Sequence, residues 1–472
     1  MPKTFFFYDL ETSGLDARHD RIMQFAGQRT DMNLQPIGEP INVLVALNDD
    51  TIPSPEALLV TGITPQKTLE EGYTESEFAK MVVDEWFTTD TIVVGFNNIR
   101  FDDEFIRHLL WRNFQDPYEW AWKDGRSRWD LLDVVRMTRA LRPDGITWPV
   151  DENGDQVNKL ELITKANGIS HENAHDALND VVATIEVARL IKQHQPQLFE
   201  YLLKNRDKKE VQKTVNLDDK KPFVYSSGRY DKQYAKTTVA FPLTSAPNGN
   251  ILVYDLRHDP SSVVGMPQDE LRKNLFATWS ERQEDDFVTV PVKQLQFNRC
   301  PAVAPLGVLA QDDGWGKINL DQDTVSQHLK TLLEHPEFAE NIRTIFETRE
   351  RKFEATDPES RLYDDFVKDG DRIRIEAVRN ADATKLADFH PEFNDERLPE
   401  LLLHYKARNF PKSLSETEQA DWEAWRTKHV GDQLTEFSKS FDSVSRRQLS
   451  DDDRFVLDEL RLWVESIMPE PN

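Results

Sequence analysis

Four acidic side chains and one histidine stand at spacings that suit a shared reaction. Asp9 and Glu11 are separated by one residue, Asp102 follows an apolar run, and His175 stands five residues before Asp180. Side chains two apart on a strand point to the same face, so Asp9 and Glu11 would repel each other unless a cation lay between them. A hard divalent ion such as Mg²⁺ takes oxygen ligands, and the acidic pair therefore indicates a metal site.

Each part of this set also has a plain structural interpretation. The Asp-x-Glu pair could be a polar strand end, Asp102 could be a helix N-cap, and His175 could face solvent. Asp176 competes with Asp180 for the role of ligand. The whole order, Asp-x-Glu, Asp, His-x4-Asp, is more specific and predicts two-metal phosphodiester hydrolysis. One ion lowers the pKa of a water, His175 takes its proton, and the second ion stabilises the leaving 3′ oxygen.

Short strands and amphipathic helices must position these residues. Strand-like runs occupy residues 3–8, 22–28, 41–47 and 91–96, and helical spacing occupies 75–87, 103–112, 131–141 and 179–193. Strands interleaved with helices predict an α/β domain that ends near residue 200.

The rest of the chain changes character twice. Residues 204–236 hold ten bases and five acids, a net of +5, and read as a connector. Short β-like runs follow at 223–225, 237–243, 251–256, 287–292 and 294–297, which predicts a small barrel or sandwich. Helical spacing begins near residue 325, and residues 351–472 hold 28 acids and 19 bases. We therefore predict domains at 1–203, 204–348 and 349–472, the last of them all-helical.

Composition excludes several classes of protein. No run approaches the roughly 18 apolar residues that a membrane span requires, and the one cysteine, Cys300, permits no intrachain disulfide. The chain is expected to be soluble and cytoplasmic. Its formal net charge of −26, taken alone, opposes a nucleic-acid partner.

Local composition points the other way. Residues 105–142 hold eight bases and five acids, a net of +3, interleaved with aromatic residues. Aromatic stacking combined with phosphate contacts is the sequence-tolerant way to hold a single strand. The alternative is that the aromatic side chains form a core and the arginines a solvated surface. After Glu11, the backbone of Thr12, Ser13 and Gly14 could approach a terminal nucleotide, since Gly14 has no side chain to clash.

Three segments carry a resemblance to a known family. Phe-Tyr-Asp-Leu-Glu-Thr-Ser-Gly around Asp9, Gly-Phe-Asn-Asn-Ile-Arg-Phe-Asp-Asp around Asp102 and Asn-Ala-His-Asp-Ala-Leu-Asn-Asp ending at Asp180 are similar to the motifs of DnaQ-like exonucleases with the DEDDh set. Within that family the chain resembles the bacterial exodeoxyribonuclease I group along its whole length, including Trp-Asp-Leu-Leu-Asp-Val (129–134) and Tyr-Lys-Ala-Arg-Asn-Phe-Pro (405–411).

The resemblance implies an architecture and an activity. The architecture is an α/β ribonuclease-H-like exonuclease domain, an SH3-like β-barrel domain and an all-α C-terminal domain. The activity is Mg²⁺-dependent 3′→5′ degradation of single-stranded DNA to 5′-mononucleotides, in DNA repair or recombination. Two ions, which Mn²⁺ could replace, would be held by the four acids, with His175 as the base. The chain would work as a monomer in the bacterial cytoplasm.

The resemblance also implies contacts with the substrate and a partner. It favours as strand contacts Arg107, Tyr118, Trp122, Arg136 and, near the metals, Lys159. Arg142 and Tyr201 match positions that dock the acidic C-terminal tail of single-stranded DNA-binding protein.

Two other functions stay open on the sequence. One is a 3′→5′ exoribonuclease on the same scaffold, because the catalytic residues meet phosphate and water and do not read the 2′-OH. The other is a catalytically inactive strand-binding module, against which the intact set of four acids and a histidine argues.

Overall fold

Strands and helices are described in the computed structural model for residues 2–171, 176–349 and 357–468. The strands are β1 (Thr4–Thr12), β2 (Ile22–Thr30), β3 (Ile41–Leu44), β4 (Thr91–Gly95), β5 (Ser127–Asp130), β6 (Phe223–Ser226), β7 (Thr237–Ala246), β8 (Asn250–Asp255), β9 (Val292–Leu295) and β10 (Ala302–Pro305). The helices of the first half are α1 (Pro55–Thr61), α2 (Pro65–Glu71), α3 (Glu75–Met81), α4 (Asp102–Arg112), α5 (Leu131–Leu141), α6 (Leu160–Ala166), α7 (Ala177–His194), α8 (Pro196–Lys204) and α9 (Lys208–Thr214). Those of the second half are α10 (Gln268–Leu275), α11 (Gly314–Lys317), α12 (Gln322–Glu334), α13 (Pro336–Glu347), α14 (Asp369–Arg379), α15 (Ala383–Ala387), α16 (Leu398–Asn409), α17 (Glu416–Ser445) and α18 (Asp451–Ile467).

The chain divides into two units, each assembled from separate stretches of sequence. The first unit combines Met1–Arg128, His171–Ile185 and Phe353–Asn472. The second combines Trp129–Ser170 and Glu186–Lys352. The predicted boundaries at 203/204 and 348/349 remain predictions, since these units follow spatial proximity rather than chain order.

A mixed sheet organises the first unit, in the order β3-β2-β1-β4-β5. β1 is antiparallel to β2 and parallel to β4. Alternation along β1 sends Phe6, Tyr8 and Leu10 into a core that also contains helices α3 and α4. Asp9 and Glu11 therefore point to the opposite face. The pairing of β1 with β4 runs from Thr4 to Phe7, so both acids extend past that parallel pair.

The C-terminal helices share two cores with the N-terminal part of the same unit. Met23 and Leu58 pack with Val430, Leu460 and Trp463 from α17 and α18. In a second core, one face of α4 packs against α16, through the residues Trp111, Phe114, Leu401, Leu402 and Tyr405. The helical segment is therefore bound to α4, the helix that begins at Asp102.

The second unit contains a five-stranded sheet in the order β10-β6-β7-β8-β9, antiparallel throughout. Its core includes Phe223, Val253, Leu295 and Val303, with Val211 from α9. The short strands confirm the prediction of a small β domain.

Most predicted elements are present with shifts of a few residues, but one strand is wrong. Residues 287–291 are not a strand, and β9 begins only at Val292. Phe287 lies in a turn, where its N–H donates to the Glu284 carbonyl, and Pro291 cannot donate to a ladder. The acidic run at 451–453 begins α18, with Ser450 and Asp453 forming a capping box.

Among the described residues, no helix combines the length and the apolar character that crossing a membrane would need.

Candidate active site

Three of the predicted acids converge. Carboxylate oxygens of Asp9, Glu11 and Asp180 lie within 4.8 Å of one another. Asp9 and Glu11 come from β1, and Asp180 comes from the first turn of α7. Asp102, the first residue of α4, is buried and close enough to act on the charge of both β1 acids.

Burial and mutual repulsion oppose the ionisation of these acids when no cation is bound. Burial raises the pKa of Asp9 well above its ordinary range, and the charges of Asp102 and Asp180 add to the rise. Burial, followed by the charges of Asp180 and Asp102, raises the pKa of Glu11 to about 8. An oxygen-only donor set whose members repel one another fits a hard divalent ion.

Two neighbouring aspartates at the start of α4 have different surroundings. Asp103 is fully buried and accepts hydrogen bonds from the Tyr8 hydroxyl at 2.6 Å and from Arg128 at 2.5 Å. Asn98 donates to the same carboxylate at 3.2 Å. The N-cap position belongs to Phe101, so Asp102 is not the predicted cap. Asp103 ties α4 to the sheet, and Asp102 is the member of the pair beside the acidic cluster.

A similar division separates Asp176 from Asp180. Asp176 accepts hydrogen bonds from the N–H groups of Leu178 and Asn179, both at 3.2 Å, and so caps α7. Asp180 lies one turn further along the helix, in the cluster. Asp180 therefore stays the predicted metal ligand, and Asp176 takes the structural role of a cap.

The predicted base, His175, lies outside the described residues. A histidine that the sequence analysis missed, His171, places its Nε2 2.7 Å from Asp180 Oδ1. Its side chain is nearly buried. The sequence does carry a signal, since His171 stands two residues before the motif that contains His175.

The loop after Glu11 is closed by local hydrogen bonds. The Thr12 hydroxyl donates to the Gly14 carbonyl at 2.7 Å, and the Ser13 N–H donates to the Arg21 carbonyl at 2.8 Å. A Cβ on Gly14 would come within 2.4 Å of the Asp20 carboxylate. Glycine is therefore required here by a contact inside the loop, a reason additional to the predicted approach of a nucleotide.

The basic and aromatic stretch 105–142 is partly used inside the fold. Buried within it are the side chains of Trp111, Phe114, Trp120, Trp129, Arg112, Arg128 and Arg139. Arg112 pairs with Glu75 at 2.6 Å, and Arg139 donates to the Val157 and Pro149 carbonyls at 2.7 Å each. The core interpretation is correct for these residues, which reduces the set available to a strand.

Three predicted strand contacts lie in the first unit. The Arg107 guanidinium is 5.8 Å from the centre of the Tyr118 ring and donates to Glu104 and to the Tyr363 hydroxyl, each at 3.2 Å. Trp122 is 65% exposed, so most of its ring is accessible for stacking on a base.

The other two predicted contacts lie in the second unit. Arg136 pairs with Asp133 at 2.5 Å and lies against Gly228, where a Cβ would be 2.9 Å from its Nη2. Lys159 precedes α6 as its N-cap residue, and its exposed ammonium lies 3.7 Å from Glu161.

The predicted partner residues also lie in the second unit. Arg142 donates to the Gln311 side chain at 3.2 Å and is 3.8 Å from the Asp312 carboxylate. The Tyr201 hydroxyl, on α8, is buried and has no hydrogen-bond partner within the described chain.

Three family models match successive parts of the chain. They are described as Exonuclease at residues 6–188, Exonuclease I SH3-like domain at 206–348, and Exonuclease I C-terminal domain at 356–467. Together with the acidic cluster, they define the class of protein: a DnaQ-like exonuclease with an SH3-like domain and an all-helical C-terminal domain.

Whole-chain relatives narrow the class. Exodeoxyribonuclease I of Haemophilus influenzae is 41% identical over 440 residues, which cover 93% of each chain. The crystal structure of Escherichia coli exonuclease I in complex with a dA16 oligonucleotide has a TM-score of 0.95 at 35% identity, covering 99% of this chain and 100% of the other. A zinc-bound form of the E. coli enzyme with single-stranded DNA has a TM-score of 0.94 at 35% identity, with the same coverage. The chain belongs to the exodeoxyribonuclease I family, and it is a hydrolytic 3′→5′ exodeoxyribonuclease.

Proposed function

We propose that the chain hydrolyses single-stranded DNA from its 3′ end and releases 5′-mononucleotides, in DNA repair or recombination. Asp9, Glu11, Asp102 and Asp180 would hold two Mg²⁺ ions, which Mn²⁺ can replace. The observation that carries the proposal is the convergence of Asp9, Glu11 and Asp180 within 4.8 Å, with raised pKa values on the two strand acids. When bound, the ions supply an acidified water and stabilise the leaving 3′ oxygen.

The proton of the attacking water is assigned to His175, four residues after the histidine that contacts Asp180. A histidine accepts a proton near neutral pH without large perturbation. His171 would act differently: its contact with Asp180 Oδ1 holds that carboxylate in one orientation.

The strand would be held by stacking and by isolated basic groups. Exposed Trp122, together with the Arg107–Tyr118 pair, supports base stacking in the first unit. Arg136 and Lys159 would contact phosphates in the second unit. The terminal nucleotide would meet the backbone of residues 12–14.

The family likeness supports further assignments. Arg142 and Tyr201 would receive the acidic tail of single-stranded DNA-binding protein, since a basic residue and an aromatic residue suit an acidic tail that ends in a hydrophobic residue. The domains are proposed at 1–203, 204–348 and 349–472, supported by family matches at 6–188, 206–348 and 356–467. We also propose that the chain acts as a monomer in the cytoplasm.

The test is digestion of matched DNA and RNA oligonucleotides labelled at either end. We expect stepwise release of mononucleotides from the 3′ end of DNA, abolished by EDTA and restored by Mg²⁺. Asp9→Ala should lose this turnover while retaining oligonucleotide binding, because it removes an ion ligand and no strand contact. Asp84→Ala, at an exposed acid of the same unit, is the control.

Two results would reject the proposal. Activity that persists in EDTA or in Asp9→Ala would exclude the ion-dependent mechanism. Faster digestion of RNA than of DNA would assign the chain to the exoribonuclease alternative, and binding without any digestion would assign it to the inactive module.

A further inference from the structure

The geometry of the loop that follows Glu11 depends on Arg21. The Arg21 N–H donates to the Ser13 hydroxyl at 2.9 Å, and its carbonyl accepts the Ser13 N–H at 2.8 Å. Across the same loop, the Asp16 N–H donates to the Asp20 carboxylate at 2.8 Å. Residues 12–14 are therefore fixed by the backbone position of residue 21.

The Arg21 side chain is itself held by residues far away in the sequence. Its buried guanidinium donates to the His19 carbonyl at 2.9 Å and to Glu359 Oε2 at 3.0 Å. Asp50 Oδ2 lies 3.8 Å from Arg21 Nη2, the nitrogen that donates to Glu359. Glu359 stands 338 residues further along the chain, close to the first described residue of the C-terminal segment.

Glu359 is fixed by other buried partners. Its Oε1 accepts from His404 Nδ1 at 2.9 Å and from Arg408, and Arg408 also donates to Asp50 at 2.6 Å. Burial alone would raise the pKa of Glu359, but Arg408 and Arg21 hold it well below its ordinary range. The carboxylate is thus an ionised, immobile anchor at neutral pH.

Pro358 and Glu359 also contact α4. Trp111 Nε1 donates to the Pro358 carbonyl at 3.0 Å, and His108 Nδ1 lies 3.2 Å from the Glu359 carbonyl. Since α4 begins at Asp102, one short segment contacts both the loop after Glu11 and the helix that carries another acid of the site.

The described residues around Glu359 do not form a metal site. Ligand atoms of Asp357, Glu359 and His404 do lie within 4.8 Å of one another. Both oxygens of Glu359 already face guanidinium groups, however, and an added cation would be repelled by Arg21 and Arg408.

We propose that Glu359 and Arg21 are positioning residues for hydrolysis: through their ion pair, the C-terminal segment orders residues 12–21 and thereby orients Glu11 and the backbone that meets the terminal nucleotide. The inference rests on the proposed function, because residues 12–14 matter to the reaction only if the site is the one described. A misplacement of about 1 Å at such a site can cost roughly 10²-fold in rate.

The test compares Glu359→Gln with Glu396→Gln. Glu396 is an exposed acid of the same segment that pairs with Arg361 at 2.6 Å and has no described contact with the loop. Without added metal, hydrogen exchange of peptides covering residues 12–21 should be faster in Glu359→Gln than in wild type and unchanged in Glu396→Gln. With Mg²⁺, mononucleotide release by Glu359→Gln should fall about 10- to 100-fold and require more Mg²⁺ for its half-maximal rate, while affinity for a long oligonucleotide stays unchanged.

Several outcomes would overturn the inference. Unchanged hydrogen exchange in the loop would leave Glu359 with a purely structural role. So would faster exchange combined with a rate of mononucleotide release within about twofold of wild type. If Glu359→Gln does not fold, Arg21→Lys is the test variant, because it keeps the buried charge and loses the guanidinium fork. Faster exchange in the loop together with slower mononucleotide release in Arg21→Lys would support the inference. Wild-type exchange and a wild-type rate in this variant would contradict it. A wild-type chain that releases no mononucleotides overturns the proposed function instead, and the exchange comparison still reports whether Glu359 orders the loop.

Discussion

The chemistry of Glu11 depends directly on its neighbours. It shares one face of β1 with Asp9 through the alternation of strand side chains. Its raised pKa, about 8, comes from burial and from acids on two helices, α4 and α7. A carboxyl group that holds its proton near neutral pH must release it when a cation binds.

The binding of divalent ions should therefore depend on pH. Between pH 4.5 and about 8, Glu11 keeps its proton in the folded chain but has released it in the unfolded chain, where its pKa is near 4.5. The metal-free protein should therefore lose stability as the pH rises from 4.5 to about 8. Calorimetric titration with Mg²⁺ should give an affinity that rises from pH 6 to pH 8, by up to about tenfold per pH unit for each proton released. Glu11→Gln should bind more weakly with a flatter pH dependence. Constant wild-type affinity over this range would contradict the shifted pKa.

The histidine of the motif gives a second prediction at this scale. His175→Ala should lower the rate of mononucleotide release by about 10²–10⁴, the usual contribution of a general base, with oligonucleotide affinity unchanged. His194→Ala, at the far end of α7, is the control. A rate within a few-fold of wild type would remove His175 from the mechanism, and a parallel His171→Ala would then show whether the histidine that contacts Asp180 takes its place.

At the scale of elements, α4 joins the fold and the chemistry through two consecutive residues. Asp103 anchors the helix to Tyr8 of β1 and to Arg128 of β5. Asp102 faces the acidic cluster and adds to the repulsion there. The start of one helix thus carries one carboxylate that is bonded within the fold and one that lies beside the acidic cluster.

The two positions should respond oppositely to the same substitution. Asp103→Asn removes the carboxylate that pairs with the buried Arg128 guanidinium and should lower the free energy of unfolding by about 3–5 kcal/mol. Asp102→Asn relieves repulsion, so the metal-free protein should be at least as stable as wild type, while turnover is lost. Urea denaturation without metal, together with the digestion assay, measures both effects. An active Asp102→Asn, or an Asp103→Asn of wild-type stability, would reverse the assignment.

At the scale of the whole molecule, the net charge of −26 does not describe the substrate surface. Acids are concentrated in the cluster of Asp9, Glu11, Asp102 and Asp180 and in residues 351–472, whereas residues 105–142 and 204–236 are net positive. Part of the positive charge is neutralised inside the fold, as with Arg112 and Glu75. The acidity contributes instead to solubility.

Binding of single-stranded DNA should therefore weaken as salt is added. Each phosphate contact contributes a slope of about −0.7 in log K against log salt, so three contacts, from Arg107, Arg136 and Lys159, predict a slope of about −2. Lys159→Ala should make the slope shallower by about 0.7, whereas Lys220→Ala, at an exposed lysine outside the predicted contacts, should leave it unchanged. A slope near zero, or affinity that rises with salt, would show that overall repulsion governs binding.

The amino-acid sequence by itself determined the local features. The period of two in β1 placed Asp9 and Glu11 on one face, and the order of apolar runs predicted an α/β part, a short-stranded part and a helical part. These follow from spacing along the chain, which is a local property. The motifs also sufficed to identify the family, which the matching family models and the whole-chain relatives confirm. The strand prediction was wrong at residues 287–291 because Phe287 ends a turn and Pro291 cannot donate a backbone hydrogen bond, although the run is largely apolar.

Only the tertiary structure decided among chemically equivalent candidates. It separated Asp102 from Asp103 and Asp180 from Asp176, and it turned Arg128 into a buried partner. It also brought Glu359 to Arg21 across 338 positions. In each case the choice depends on which distant group lies opposite the side chain, and hydrogen bonds and ion pairs act across space, without regard to separation along the chain.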